Sequence, residues 1–536
     1  MKYTAINIGP IVSTLQMARK PRELWAASYL FSHLMDCIID TLFELGITKA
    51  DIISPDILNK NQNLGVGLYP DRIFFKNELP VTSNGKTFED TVFEKLIKST
   101  EYTVNKDKII LHRLKKEYFK IMIVSLDISV VQSENEESKA IYELNQALDK
   151  LELFNITNTD TDTKNVRDLI IMRDKSPLFK KAFDTDDFPI ETLGEIAAKQ
   201  LEVLGQENWK KFAKDIKSED KKIAEKAYSH FSEKNLKSYH KYICIVQADG
   251  DNVGTTVSHK DLQDGKVKEI STALLDFGKK ATNKIKEYGG LPIYAGGDDL
   301  LFIAPVVGIQ KKEDGNWKNI LDLLEELNND SFKGVIDKVA ECNLKKGNKP
   351  IKASLSFGVS ITYYKYPLYE ALDNARRLLF EKAKGVDGKN ARVLNWRKHS
   401  GSAFSLSFSK SNTNLASKFD EVIKQSQVEE ALVSAVAHKI SNSEGLLKLW
   451  MGSNENIYTE RNKAFFEKYI GYVSGKTDEN SLYKESVLNL LNEFYKTKKT
   501  QRISEQEKEQ ITSEVVKTMY GMLRFAKFIN GEEDKQ

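Results

Sequence analysis

Four aspartates in two short clusters, Asp249-Gly250-Asp251 and Asp298-Asp299, are the residues in this sequence best suited to do chemistry. The second cluster closes Leu291–Pro305, LPIYAGGDDLLFIAP, where two apolar, β-prone runs (Leu291–Ala295 and Leu300–Pro305) flank a four-residue turn, Gly296-Gly297-Asp298-Asp299. Short apolar runs joined by a Gly-containing turn predict a β-hairpin. The first cluster lies about 45 residues upstream and ends the apolar strand Tyr242–Ala248, a separation that suits a strand–helix–hairpin unit. Four carboxylates converging in one site repel one another unless cations lie between them. Oxygen ligands at this density suit Mg²⁺ or Mn²⁺, which keep waters and share their remaining positions with substrate phosphates. Two such ions held by Asp249, Asp251, Asp298 and Asp299 would activate a hydroxyl nucleophile and stabilise a leaving pyrophosphate oxygen.

Other residue types around the clusters fit a nucleotide. Gly250, Gly296 and Gly297 remove side chains where a triphosphate must approach the backbone. Downstream, FEKAKGVDGKN (Phe380–Asn390) offers Lys382, Lys384 and Lys389 as mobile cationic donors to phosphates, against the plain alternative of a solvated lysine-rich face. Ser354 and Ser356, in SLSFGVS, are expected to face the same pocket. Competing motifs fail on spacing. Asp249-Gly-Asp251-Asn-Val-Gly254 begins like a calcium loop, but its fifth position is Val253 and its twelfth is Lys260, where Glu is required. GYVSGKT (Gly471–Thr477) has three residues between its glycines where a phosphate-binding loop has four, and it follows a helical pattern.

These residues need a scaffold, and the periodicities describe one. Tyr3–Ile8 reads as a strand, Ile11–Leu45 as a helical stretch closed by Gly46, Gly65–Phe75 as a hairpin or strand, Glu89–Leu114 as a helix and Lys120–Val131 as a strand. That order of strand, long helix and hairpin is a degenerate first copy of the later unit. Asn7 and Gly9 stand where the second copy has Asp249 and Asp251, and Tyr69-Pro70-Asp71-Arg72 replaces Gly-Gly-Asp-Asp, so the first copy is read as inactive, with Asp71 in a salt bridge to Arg72. Residues 134–238 read as a helical spacer, with nothing catalytic in it. Residues 239–400 hold the acidic clusters, including the helix Val267–Tyr288, the strand Ile351–Tyr363 and the helix Pro367–Lys384. A Ser-rich linker (Ser400–Ser411) then leads to an all-helical block within 401–536.

At 536 residues the chain is too long for one core. Lys and Arg number 80 against 77 Asp and Glu, so global charge gives no signal for nucleic acid, although local basic patches remain open. Three scattered cysteines without a CxxC exclude a cysteine-based zinc ribbon and a disulfide framework and suit a reducing cytoplasm. No run of about 18 apolar residues occurs, so no membrane span is expected and a cytoplasmic location is.

QADGDNVG, YAGGDDLLFIAP, ASLSFGVSITYYKYPLYEALDNARRLLFEKAK and KNA, in this order, resemble the large subunit of type III CRISPR effector complexes, Cmr branch (type III-B). GPIVSTLQMARKPRELWAASYLFSHL and FPIETLGEIA (Phe188–Ala197) extend the likeness over nearly the whole chain, although GGDD alone is shared with many palm-type polymerases and cyclases. The resemblance implies an α+β fold of two ferredoxin-like palm domains of the GGDEF/cyclase type, spanning 1–133 and 239–400, with a helical insertion and a C-terminal all-helical domain. It implies a metal-dependent nucleotidyltransferase, activated by target RNA, that converts ATP into cyclic oligoadenylate; a subset of the family instead joins AMP to S-adenosylmethionine. Asp249 and Asp298 match the principal metal positions, Asp251 and Asp299 neighbouring acidic ones, and Lys382 or Lys384 the phosphate-contacting lysine of related cyclase palms. Implied partners are the other Cmr subunits, guide RNA and target RNA. Two features depart from the family: no His is followed by Asp, so the N-terminal nuclease motif is not found, and the usual cysteine zinc site is missing, so no zinc is expected. A structural subunit whose acidic site is inert is the reading of a different class.

Overall fold

Strands that must be covered on both faces carry apolar residues in both registers, and two segments of this chain do so. In Lys2–Gly9, Tyr3 and Ala5 enter one hydrophobic cluster while Ile6 and Ile8 enter another. In Tyr242–Asp251, Cys244, Val246 and Ala248 face one cluster and Ile243 and Ile245 the other. Both are interior strands. The computed structural model describes residues 1–57, 64–80, 86–100, 115, 118–129, 135–154, 190–204, 236–259, 262–263, 265–333, 353–386, 389–409, 413–497 and 504–531.

The first copy runs β1 (Lys2–Gly9), α1 (Ile11–Gln16), α2 (Pro21–Glu44), β2 (Ile52–Ser54), β3 (Arg72–Lys76), α3 (Phe88–Thr100) and β4 (Lys120–Asp127). Its antiparallel sheet has the order β2-β3-β1-β4. The helical stretch expected over 11–45 is split because Pro21 cannot continue a helix but suits a first turn, and α2 starts there after an extended Lys20. Between the copies lie helices α4 (Glu136–Phe154) and α5 (Leu193–Ala197), and the second copy runs β5 (Tyr242–Asp251), α6 (Lys266–Tyr288), β6 (Leu291–Gly296), β7 (Asp299–Pro305), the small hairpin β8 (Val307–Lys311) and β9 (Trp317–Asn319), α7 (Ile320–Glu326), β10 (Ser354–Tyr363), α8 (Leu368–Arg377), β11 (Arg392–Arg397) and β12 (Ala403–Phe408). Helix α8 continues as a π-helical segment, Leu378–Ala383. The sheet order is β12-β11-β10-β5-β7-β6. Its inner four strands, β10-β5-β7-β6, repeat the order β4-β1-β3-β2, so the duplication of a ferredoxin-like unit is present in the topology.

Two expected boundaries change. The Ser-rich stretch after 400 is not a plain linker: Phe404, Leu406 and Phe408 alternate with serines, and this period-2 pattern makes β12, which pairs with β11 at the sheet edge. The described parts of the spacer pack into the palms. Helix α4 lays Ala140, Ile141, Leu144 and Leu148 against Tyr3, Ala5 and Phe74, and α5 buries Ile196 and Ala197 in the cluster that holds Ile243, Ile245 and Ile303. The C-terminal block is helical as expected, with α9 (Thr413–Gln425), α10 (Glu430–Ser441), α11 (Glu455–Phe465), α12 (Glu479–Thr497) and α13 (Glu505–Ile529). It shares a core with the second palm: Phe528 of α13 stacks on Trp396 of β11 at 4.5 Å between ring centroids. No helix among the described residues is long and apolar enough to cross a membrane.

Candidate active site

The acidic residues are positioned by strand pairing. Strand β5 runs antiparallel to β7 with Ala248 opposite Leu300, so the end of β5 and the start of β7 meet at one edge. Gly296 pairs with Asp299, which shortens the expected four-residue turn to two residues, Gly297 and Asp298. Gly297 has φ +64°, the left-handed region that tight hairpin turns require at this position. Asp298 therefore projects from the hairpin tip over Gly250. A β-carbon on Gly250 would stand 2.6 Å from both Cβ and Oδ2 of Asp298 and 2.8 Å from Val253 Cγ2. Asp249, beside it, is 26 % exposed.

Charge crowding follows. The surrounding protein and then the negative charge of Asp249 push the Asp298 carboxyl up to about 7. Asp299 is open to solvent on its outer side, yet the protein packed around it and the neighbouring Asp298 charge raise its carboxyl well above the ordinary value. Carboxylates crowded by like charge in this way fit a divalent cation, whose binding relieves the repulsion. Among the described residues no three Asp, Glu, His or Cys side chains come together closely enough to hold a metal ion by themselves. The protein thus offers the pair Asp249 and Asp298, the carboxylate count Mg²⁺ takes where phosphates complete its shell.

The expected convergence of four carboxylates is corrected at Asp251. Its side chain is wholly buried and accepts from Ser354 Oγ (2.7 Å), Ser356 Oγ (2.9 Å), Lys384 Nζ (2.9 Å) and the Asn390 backbone N–H (2.8 Å). This carboxylate is a structural anchor that ties β5 to β10 and to the loop before β11, with its lone pairs already occupied. Ser354 and Ser356 face that anchor and not an open pocket, because strand pairing sets them opposite Asp251 and Asp249.

The three candidate lysines separate as clearly. Lys384, 15 % exposed, donates to the carbonyls of Asp249 (3.0 Å) and Gly250 (2.8 Å) and forms ion pairs with Asp249 and Asp251. Burial alone would depress its ammonium, but the two aspartates hold it above its ordinary value. Lys382 is exposed on the π-helical segment, and Lys389 lies in the loop before β11 with φ +50°. Among the described residues, neither makes a hydrogen bond or ion pair with the acidic pair. The glycines also change meaning. Gly250 makes room for Asp298, and at Gly296 a β-carbon would meet the Tyr294 ring, with its hydroxyl oxygen at 2.4 Å, so both are packing requirements. The rejected GYVSGKT stretch follows the C-terminal end of a helical segment at Ile470 and precedes α12, with no strand before it.

With this geometry in view, comparison with known proteins is direct. Residues 242–393 match the Cas10/Cmr2 second palm domain, and residues 3–109 match the N-terminal domain of CRISPR-associated protein Cmr2. Two segments of the chain are thus similar to two domains of Cas10/Cmr2 proteins. A curated relative, the CRISPR system Cmr subunit Cmr2 of Pyrococcus furiosus, is 32 % identical over 188 residues, covering 31 % of this chain and 19 % of that protein. The match thus spans about a fifth of that relative's length. Among solved structures, a type III-B Cmr-beta complex in the apo state has a chain similar at TM-score 0.55 and 12 % identity, covering 89 % of this chain and 78 % of that one. The same complex bound to cognate target RNA gives TM-score 0.54 and 12 % identity, over 89 % and 80 %. These structures share the fold.

Asp71, read from the sequence as a salt-bridge partner, returns to the site. Arg72 does not pair with Asp71. Its guanidinium donates to Asp149 (2.7 Å), Glu152 (3.0 Å) and Asn145 (2.7 Å) on α4. The first copy's turn instead lies along β6: Ala295 N–H donates to the Gly67 carbonyl (2.9 Å), and the Tyr294 hydroxyl to the Tyr69 carbonyl (3.3 Å). Helix α2 braces both partners, with Trp25 Nε1 donating to Gly65 O (2.9 Å) and Ser28 Oγ to Ile293 O (3.0 Å). Asp71 is thereby close enough that its charge adds to the repulsion raising Asp298 and Asp299. The signal was the repeat itself, since Asp71 holds the position in copy one that the Asp298–Asp299 hairpin holds in copy two.

Proposed function

We propose that this chain is the large subunit of a type III-B CRISPR effector complex and that, on target-RNA binding, its second palm converts ATP into a cyclic oligoadenylate second messenger. The observation that carries this reading is the meeting of Asp249 and Asp298 at paired strand ends, with Lys384 anchored beside them. Asp249 and Asp298 would hold Mg²⁺ or Mn²⁺, which would supply polarisation of the α-phosphate and neutralisation of the departing pyrophosphate. Asp298 is held in place by its packing on Gly250 and by the tight turn at Gly297. Asp251, tied to two serines, fixes the strand end that presents Asp249. Lys384 keeps a positive charge at the mouth of the site, where a triphosphate brings negative charge. Guide–target pairing would supply sequence specificity, with this subunit sensing the outcome.

The test is incubation of the assembled complex with target RNA, ATP and Mg²⁺ or Mn²⁺, with and without S-adenosylmethionine, followed by pyrophosphate measurement and mass analysis of the product. Pyrophosphate release that disappears in Asp298→Ala with Asp299→Ala, while assembly is retained, is expected. Unchanged turnover in that double variant would remove the mechanism. Product formed only with S-adenosylmethionine would move the acceptor from ATP to that cofactor, and no pyrophosphate in any arm would leave the subunit a scaffold.

A further inference from the structure

Helix α8 carries Lys384 beyond one end, and at its other end it walls a second concave site. This cavity, about 380 Å³, lies between α8, the ends of β10 and β11, and Gln16 at the end of α1 in the first copy. That is within the range of pockets that take small ligands or a single base, about 300–1,000 Å³. Tyr366 and Tyr369 line it, and both hydroxyls donate to Glu370, at 2.5 and 3.2 Å, while the Tyr366 hydroxyl also accepts from Arg397 Nη1 (3.0 Å), which fixes the edges of the rings. Arg397 lies 5.2 Å from the Tyr366 ring centroid and Arg19 lies 4.3 Å from that of Tyr369. Further along the helix Arg376 lies over Phe380 at 5.8 Å, and Phe380 is 46 % exposed. The cavity wall is polar. Asn374 donates to Ser360 Oγ (3.0 Å) and to Asn395 Oδ1 (3.3 Å), while the buried Thr362 hydroxyl has no hydrogen-bond partner within the protein.

We propose that this surface binds single-stranded RNA, with one base entering the cavity beside Tyr366 and Tyr369 and the backbone phosphates on Arg19 and Arg397. Guanidinium groups laid over exposed rings are the platforms on which unpaired bases stack, and arginine adds a planar fork for phosphate oxygens. Of the two carboxylates nearby, Asp373 pairs with Arg377 at 3.1 Å and Glu370 accepts from the two tyrosines, so the positive charge left facing the site is that of Arg19 and Arg397. Hydroxyls and amides in the wall suit the hydrogen-bonding edge of a base. An acidic protein segment would use the arginines but leave the ring faces and the polar wall without a role. The site is separate from the acidic pair, so its test does not depend on catalysis.

The experiment is fluorescence-anisotropy titration of the full chain with a labelled single strand of about twelve ribonucleotides, a length within the usual single-strand site sizes. It is run at two salt concentrations, alongside the same sequence as a duplex and a polyglutamate peptide. Tyr369→Ala and Arg397→Ala are each expected to weaken single-strand binding about tenfold, Tyr369→Phe to retain it, and duplex to bind less tightly. Arg397→Ala should also reduce the salt slope by about 0.7, one phosphate contact on a single strand. Tyr369 and Arg397 are exposed, so the fold is expected to survive, and circular dichroism checks this. Wild-type affinity and slope in both alanine variants would overturn the proposal, as would polyglutamate binding that those variants lose while RNA binding persists.

Discussion

Gly250→Ala is the smallest change that separates two accounts of the acidic site. One gives Gly250 the task of admitting a triphosphate; the structure gives it the task of admitting Asp298. A β-carbon at 250 would lie 2.6 Å from Asp298 Cβ and Oδ2, against the 3.4 Å at which ordinary contact begins, so Asp298 must retreat by about 0.8 Å. Val253 Cγ2, at 2.8 Å, blocks escape on the other side. Overpacking of this kind costs about 1–3 kcal/mol, and misplacing a reacting group by about 1 Å costs about 10²-fold in rate. We therefore predict a fall of about a hundredfold in kcat for pyrophosphate release by the target-RNA-activated complex, with a smaller change in KM for ATP. Gly254→Ala, where nothing lies within 4 Å of the added carbon, is the matched control and should leave kcat close to wild type. A Gly250→Ala enzyme with raised KM and wild-type kcat would refute the reasoning, because that pattern belongs to lost room for substrate.

Further outcomes can be set out together. Ser356→Ala removes one donor from the buried Asp251 carboxylate and should lower stability by about 1.5–3 kcal/mol, read as faster amide exchange in β5 and β10. Asp71→Asn takes a negative charge from beside the acidic hairpin and should raise the Mg²⁺ or Mn²⁺ concentration needed for half-maximal activity by up to about tenfold; an unchanged metal titration would return Asp71 to a structural role. His240 is buried and neutral, with Nδ1 accepting from the Lys237 N–H (3.0 Å) and Nε2 facing Gln200 Oε1 (2.9 Å), and burial, then Lys237, lowers it to about 3. Its folded value lies below the unfolded one. The unfolded chain therefore binds the extra proton first, and stability present above pH 6.5 falls by about 1.4 kcal/mol per unit as pH drops towards 3. Thermal unfolding between pH 7 and 5 should show this slope, and His240→Phe should flatten it.

Much of this architecture was legible because strand and helix periods are strong signals. Val267–Tyr288 was readable from its apolar face, and the duplicated order from two sets of strand, helix and hairpin. The pairing of Asp249 with Asp298 followed from adjacent strand ends. What escaped was contact across the chain. Nothing local to Asp251 tells a reader that two serines about a hundred residues away will occupy its oxygens, since that depends on the register of β10 against β5. The Arg72 partners lie on α4, outside any local pattern, and so Asp71 was paired with the neighbour it does not use. In the stretch after Ser400, serine content masked the alternation that makes β12.

The π-helical segment at Leu378–Ala383 has a mechanical consequence. Just before it, α8 lies so close to β10 that a β-carbon on Gly358 would stand 2.1 Å from the Ala375 carbonyl and 2.5 Å from the Leu379 nitrogen. The helix is thus pinned at one point by bare backbone, and the wide turn begins just past the pin. A one-residue change of register there would turn everything beyond it by about 100° and advance it by about 1.5 Å. Lys384 follows that segment directly, so such a shift would swing its ammonium off the aspartates.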